Sequence, residues 1–157
     1  MNLTKEVIRM KKKFTIAIAF ILGVLPFLVG GIQNWYMLTY VDSALPYGFI
    51  SLVVLLLWGC IAFLLNYNCR RTKEIVVSLN FIAALDLLLI GIQELILHAY
   101  WMNLVGKWSQ LFYLPMINLG FNLTNWSHSV FPAYVACFIL MVAVSFVGCK
   151  LKEKFQE

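Results

Sequence analysis

Two carboxylic acids and a histidine fall within one long apolar run: Asp86, Glu94 and His98. Asp86 lies at the centre of one run, in Ala84-Leu85-Asp86-Leu87-Leu88-Leu89. A charged side chain at the middle of a bilayer costs about 2.5–3.5 kcal/mol on the insertion scale. No Lys or Arg lies inside any of the apolar runs to pair with it, so the neutral acid, acting as a hydrogen-bond donor, is the expected state. Such a donor needs an acceptor. Pro26 has no N–H and releases the carbonyl of Leu22, which helix rise brings to about the depth of Asp86. Trp58, at similar depth, carries an indole donor for the ionised form. Asp86, Pro26 and Trp58 are therefore the candidate intramembrane polar or ion site. Its favoured use is to lock helices together, and its alternative is to carry an ion or proton.

Glu94 and His98 are four residues apart, on one face of a helix and about a turn from each other. Asp86, Ile90, Glu94 and His98 form a slowly drifting stripe. A metal site needs at least a third ligand near this pair, and none is in view, so no metal is expected. A solvated helix end or a structural pair is favoured over a pH sensor, although histidine is the residue such a sensor would use. No His-Glu-x-x-His, Gly-x-Ser-x-Gly, phosphate loop or second intramembrane aspartate is present. A lone Asp86 is at most half of an aspartyl dyad. No catalytic residue and no cofactor are therefore expected, and the chain does not read as an enzyme.

The elements that must position these residues follow from composition. Of 157 residues, 62% are hydrophobic and only 12% charged, more apolar surface than one small water-soluble core can hide. Four runs are long enough to span a bilayer, at about 14–33, 49–66, 75–98 and 130–149, with an outer loop at 99–129. The first is interrupted by Gly23, Pro26 and the Gly30-Gly31 pair and reads as an uncleaved anchor rather than a signal peptide, since no Ala-x-Ala site follows it. The charges flank these runs. Lys5, Arg9, Lys11, Lys12, Lys13, Arg70, Arg71, Lys73, Lys150, Lys152 and Lys154 mark one side, leaving only Lys107 on the other. The positive-inside rule makes the first side cytoplasmic. The net charge of +5 is thereby accounted for by topology and anionic lipid, and nucleic acid is not an expected partner.

The expected fold is all-α: a single membrane domain forming a four-helix transmembrane bundle, N-in and C-in, with an aromatic interfacial helix in the outer leaflet between spans three and four. In that loop Trp101, Leu104, Val105, Trp108, Leu111 and Phe112 recur at three- and four-residue steps, with Trp126 beyond them. Trp101, Trp108, Phe112 and Trp126 are expected to form an interfacial cap or belt. Cys60, Cys69, Cys137 and Cys149 lie in spans or at the cytoplasmic boundary and read as reduced. Nothing repeats between the halves as in inverted-repeat transporters.

The expected partners are the lipid bilayer, other copies of the chain in a homo-oligomer, and a cytoplasmic protein. The expected function is a non-enzymatic membrane subunit, a sensor or anchor in an assembly of the kind bacterial phage-defence or toxin-immunity systems contain. A small ion or proton channel or carrier built on Asp86 is the alternative, and a membrane-embedded enzyme the third.

Overall fold

The computed structural model describes residues 2–41, 45–66, 72–99, 101, 103–125 and 129–155, without the side chains of 2–9, 11 and 12. Among them every regular element is helical. In order these are α1 (Asn2–Leu22), α2 (Leu25–Thr39), α3 (Tyr47–Leu65), α4 (Thr72–Gly91), α5 (Leu104–Tyr113), α6 (Ile117–Leu123) and α7 (Phe131–Lys154). A π-helical segment, Ile92–Ile96, continues α4. Four stretches are long and apolar enough to cross a membrane: Lys13–Thr39, Tyr47–Leu65, Thr72–Ile96 and Phe131–Lys154. The chain is therefore a multi-pass membrane protein with four candidate spanning helices.

The first stretch is two helices in series. Pro26 sits in the opening turn of α2, where its missing N–H is harmless. The join is tightened by three-residue bonds, Val24 N–H to the Ile21 carbonyl at 3.1 Å and Phe27 N–H to the Val24 carbonyl at 3.0 Å. This break lets the two halves follow different partners, α1 packing on α4 and α2 packing on α5.

The centre of the bundle is the packing of α7 on α3 and α4. At the α3–α7 crossing, a Cβ on Gly148 would lie 2.3 Å from the Gly59 carbonyl oxygen, so only glycine allows the two backbones this close. Polar side chains then tie the same helices. Trp58 on α3 donates its indole N–H to Asn80 on α4 at 3.1 Å, and Asn80 donates to Ser145 on α7 at 3.0 Å. All three residues are buried. Near the end of α3, Asn66 donates to the Cys149 carbonyl at 2.8 Å.

The stretch between the third and fourth spans folds into the bundle. Leu111, Phe112 and Tyr113 at the end of α5 are buried, whereas Leu104, Val105 and Trp108 nearer its start are exposed. Ser51 on α3 donates to the Pro115 carbonyl at 2.8 Å. Against α7, a Cβ on Gly120 of α6 would fall 2.4 Å from the Ala133 carbonyl oxygen. The segment is thus packed structure as well as a connection.

Candidate functional site

One face of α4 carries Leu79, Ala83, Asp86 and Ile90, all buried at the three- and four-residue spacing of a helix that faces its neighbours on that side. Asp86 is only 6% exposed, and its Oδ2 makes no hydrogen bond among the described residues. One turn earlier, the Ala83 carbonyl accepts the Tyr113 hydroxyl at 2.7 Å. The Tyr113 ring in turn lies 5.6 Å from that of Tyr134 on α7. Burial, and after it the nearby charge of Asp86, push the Tyr113 phenol above the ordinary tyrosine range. The acid therefore sits at a junction of α4, α5 and α7, with a tyrosine hydroxyl beside it that stays protonated and is already engaged with backbone.

The partners considered for Asp86 are placed otherwise. The Trp58 indole is bound to Asn80. Pro26 is buried in the first turn of α2, and Asp86 Oδ2 takes no bond from or to the Leu22 carbonyl. Asn80 and Ser145 were missed. Their signal is a polar side chain inside an apolar run, the same kind of signal that singles out Asp86.

Glu94 and His98 are placed differently. Within the π-helical segment, Glu94 Oε1 accepts the amides of Val130 and Phe131, both at 3.1 Å, together with the Ser129 hydroxyl. The carboxylate thereby satisfies amides that the start of α7 leaves open, and its charge lies at the positive end of that helix. His98 lies just past the segment with a left-handed φ of 49° and is exposed. There it lets the chain turn, and the Ala99 N–H closes back on the Gln93 carbonyl at 3.0 Å. Gln93 itself is fully buried. Its amide donates to Ser109 at 3.2 Å, and its carbonyl oxygen accepts the Trp101 N–H at 3.0 Å.

The four aromatic residues of the expected cap separate. Trp101 and Trp108 are exposed, with Trp108 set edge-on to Phe27 at 6.0 Å. Phe112 is fully buried and packs edge-on to Phe27 at 4.8 Å. Trp126 lies outside the described residues.

Compared with protein-family models, curated proteins and solved structures, the chain matches none.

The chemistry open to the site therefore has to be judged from its own groups. Among the described residues no three His, Cys, Asp or Glu side chains come together as a metal-binding group. Cys60, Cys137 and Cys149 are free thiols. Asp86 can hold or release a proton, while the Tyr113 hydroxyl beside it is given to the Ala83 carbonyl. Asn80, Gln93 and Glu94 are each already bound to two or more groups from other segments or their own helix, which suits them to holding geometry.

Proposed function

We propose that the chain is a non-enzymatic, multi-pass subunit of a membrane assembly, a sensor or anchor that works with a cytoplasmic partner, as in phage-defence or toxin-immunity systems. The observation that carries this reading is the use made of its interior polar groups. Trp58, Asn80 and Ser145 bind three helices to one another, and Gln93 and Glu94 bind the end of the third span to α5 and α7. Side chains consumed in this way give a defined bundle, the property required of an anchor or a transmitting element.

The membrane is proposed to be the cell (inner) membrane, with both termini cytoplasmic. Eleven of the twelve basic residues flank the spans on the side of the termini, which supports that orientation. The helix Leu104–Tyr113 is proposed to lie in the outer leaflet, supported by the exposure of Leu104, Val105 and Trp108 along one side of it. Homo-oligomerisation is proposed from the wide apolar face of α3, where Phe49, Leu52, Leu56, Leu57 and Leu64 are exposed. Gly23, Gly59 and Gly91 pack inside one chain, against α4, Val144 and Phe131 respectively, and so are not open to another copy.

A second reading, an ion or proton pathway through Asp86, is favoured by the unpartnered Oδ2 of a carboxyl buried in the bundle. Purification in mild detergent, with mass measurement and identification of co-purifying protein, paired with proton flux in proteoliposomes, separates the two. A stoichiometric cytoplasmic partner and no flux at any pH between 5 and 8 is the expected result. A proton flux abolished by Asp86→Asn would overturn the anchor reading in favour of the pathway.

A further inference from the structure

The adjacent glycines of α2 meet different surroundings, and the difference exposes a site. A Cβ on Gly30 would fall 1.9 Å from the Leu111 carbonyl oxygen, so Gly30 is where α5 lies against α2. A Cβ on Gly31 would meet nothing within 4 Å. Gly31 is instead the floor of an open groove beside that contact. Its lower part, about 280 Å³, is lined by Phe27, Leu28, Ile32, Trp35 and Trp108. Its upper part, about 350 Å³, shares Gly31, Trp35 and Trp108 and reaches Leu38, Leu104 and Lys107. A further cleft at Asn103, Leu104, Val105 and Lys107 continues it along the first turn of α5.

We propose that this groove is a binding site for one anionic phospholipid, with an acyl chain over Gly31 and the phosphodiester at Lys107. Three observations select that occupant. From Leu28 to Leu38 the groove runs along ten residues of helix, about 15 Å at the helical rise. That is about half the thickness of a hydrocarbon core, the depth of one leaflet. The walls are apolar and aromatic below, and Trp35 and Trp108 stand where indoles prefer the boundary between chains and headgroups. On the topology proposed above, on which this inference rests, Lys107 is the sole Lys or Arg on this side of the membrane, and it stands at the top of the groove. An ammonium there attracts a phosphate that carries net charge, and it discriminates against a zwitterionic headgroup whose own amine competes. Gly31 is open because the acyl chain takes the space a side chain would fill.

The test is lipid retention measured by native mass spectrometry on the full chain. The protein is released from nanodiscs made with equal parts phosphatidylglycerol and phosphatidylcholine. Wild type is expected to keep one phosphatidylglycerol in preference to phosphatidylcholine. Lys107→Gln, at an exposed position, should reduce that preference about fivefold, the effect of one basic side chain near anionic lipid. Gly31→Leu, whose Cβ meets nothing within 4 Å and whose side chain fills the floor, should lose retention of either lipid while its melting temperature stays at or above that of wild type. Equal retention of the two lipids by wild type, an unchanged preference in Lys107→Gln, or full retention by a folded Gly31→Leu would each overturn the proposal. Should Gly31→Leu fail to fold, the Lys107→Gln result decides.

Discussion

The Glu94 carboxylate, at the end of the third span, holds the amide of Phe131 at 3.1 Å and so closes the first turn of α7 from another helix. Helix starts are usually satisfied by a side chain of the same segment. Here the N-cap residue is Val130, which has no side-chain acceptor, and the Ser129 hydroxyl before it donates to the same Glu94 carboxylate. Replacing Glu94 with Ala therefore leaves two amides and a hydroxyl without their acceptor.

Glu94→Ala is expected to destabilise the folded protein by about 1–3 kcal/mol, the cost of unmet buried donors. Glu94→Gln keeps an acceptor and loses only the charge at the helix start, an effect of about 0.3–1 kcal/mol. Thermal unfolding in detergent should rank wild type above Gln and Gln above Ala. An Ala variant as stable as wild type would sink the capping role.

The Trp58–Asn80–Ser145 chain makes a prediction about coupling. Asn80→Leu leaves the buried Trp58 indole N–H unpaired and should cost about 1–3 kcal/mol. Once Trp58 has been changed to Phe, the same Asn80 substitution should cost less. The two residues are in direct contact, and their interaction energy should appear as non-additivity of at least about 0.5 kcal/mol. Strict additivity would show that the bond contributes nothing.

Asp86 behaves differently because its Oδ2 has no partner to lose. The Asp86→Leu variant is expected to be as stable as wild type or more so, since a buried polar atom without a hydrogen bond is itself a cost of about 1–3 kcal/mol. The measurement is unfolding in detergent beside Asp86→Asn. A marked loss of stability in the Leu variant alone would mean that the acid has an acceptor in the bilayer after all.

Gly30 and Gly31 should respond in opposite directions to the same change. Gly30→Ala places a methyl against the backbone of α5 and is expected to cost about 1–3 kcal/mol as overpacking. Gly31→Ala meets open space and removes a flexible residue from a helix, so stability should hold or rise by up to about 1 kcal/mol. Equal effects would contradict the asymmetric contact of α2.

Sidedness is tested in a background without native cysteines. Single cysteines placed near Lys12, Lys73 and Lys152 should react only from the cytoplasmic side, and those near Asp42 and Lys107 only from outside. Labelling of the first and last positions from opposite sides would require an odd number of crossings.

Four long apolar helices were legible in the sequence because a bilayer span needs only length and hydropathy, both properties of a single segment. Asp86 was legible as a buried acid for the same reason. Its surroundings were not. Depth along a helix axis puts Leu22, Trp58 and Asp86 at one level but says nothing about which faces turn toward each other. The fold decided that Trp58 meets Asn80 and that the acid sits near Tyr113. The Glu94–His98 spacing assumed 3.6 residues per turn. The π-helical segment at Ile92–Ile96 and the left-handed His98 alter that geometry, and Glu94 spends its carboxylate on α7. The aromatic loop reads as periodic, yet its period could not tell which part of that face meets protein. Phe112 is buried beside Phe27 while Trp108 stays exposed, because α5 packs on α2 at Gly30, a contact between segments about eighty residues apart in the chain.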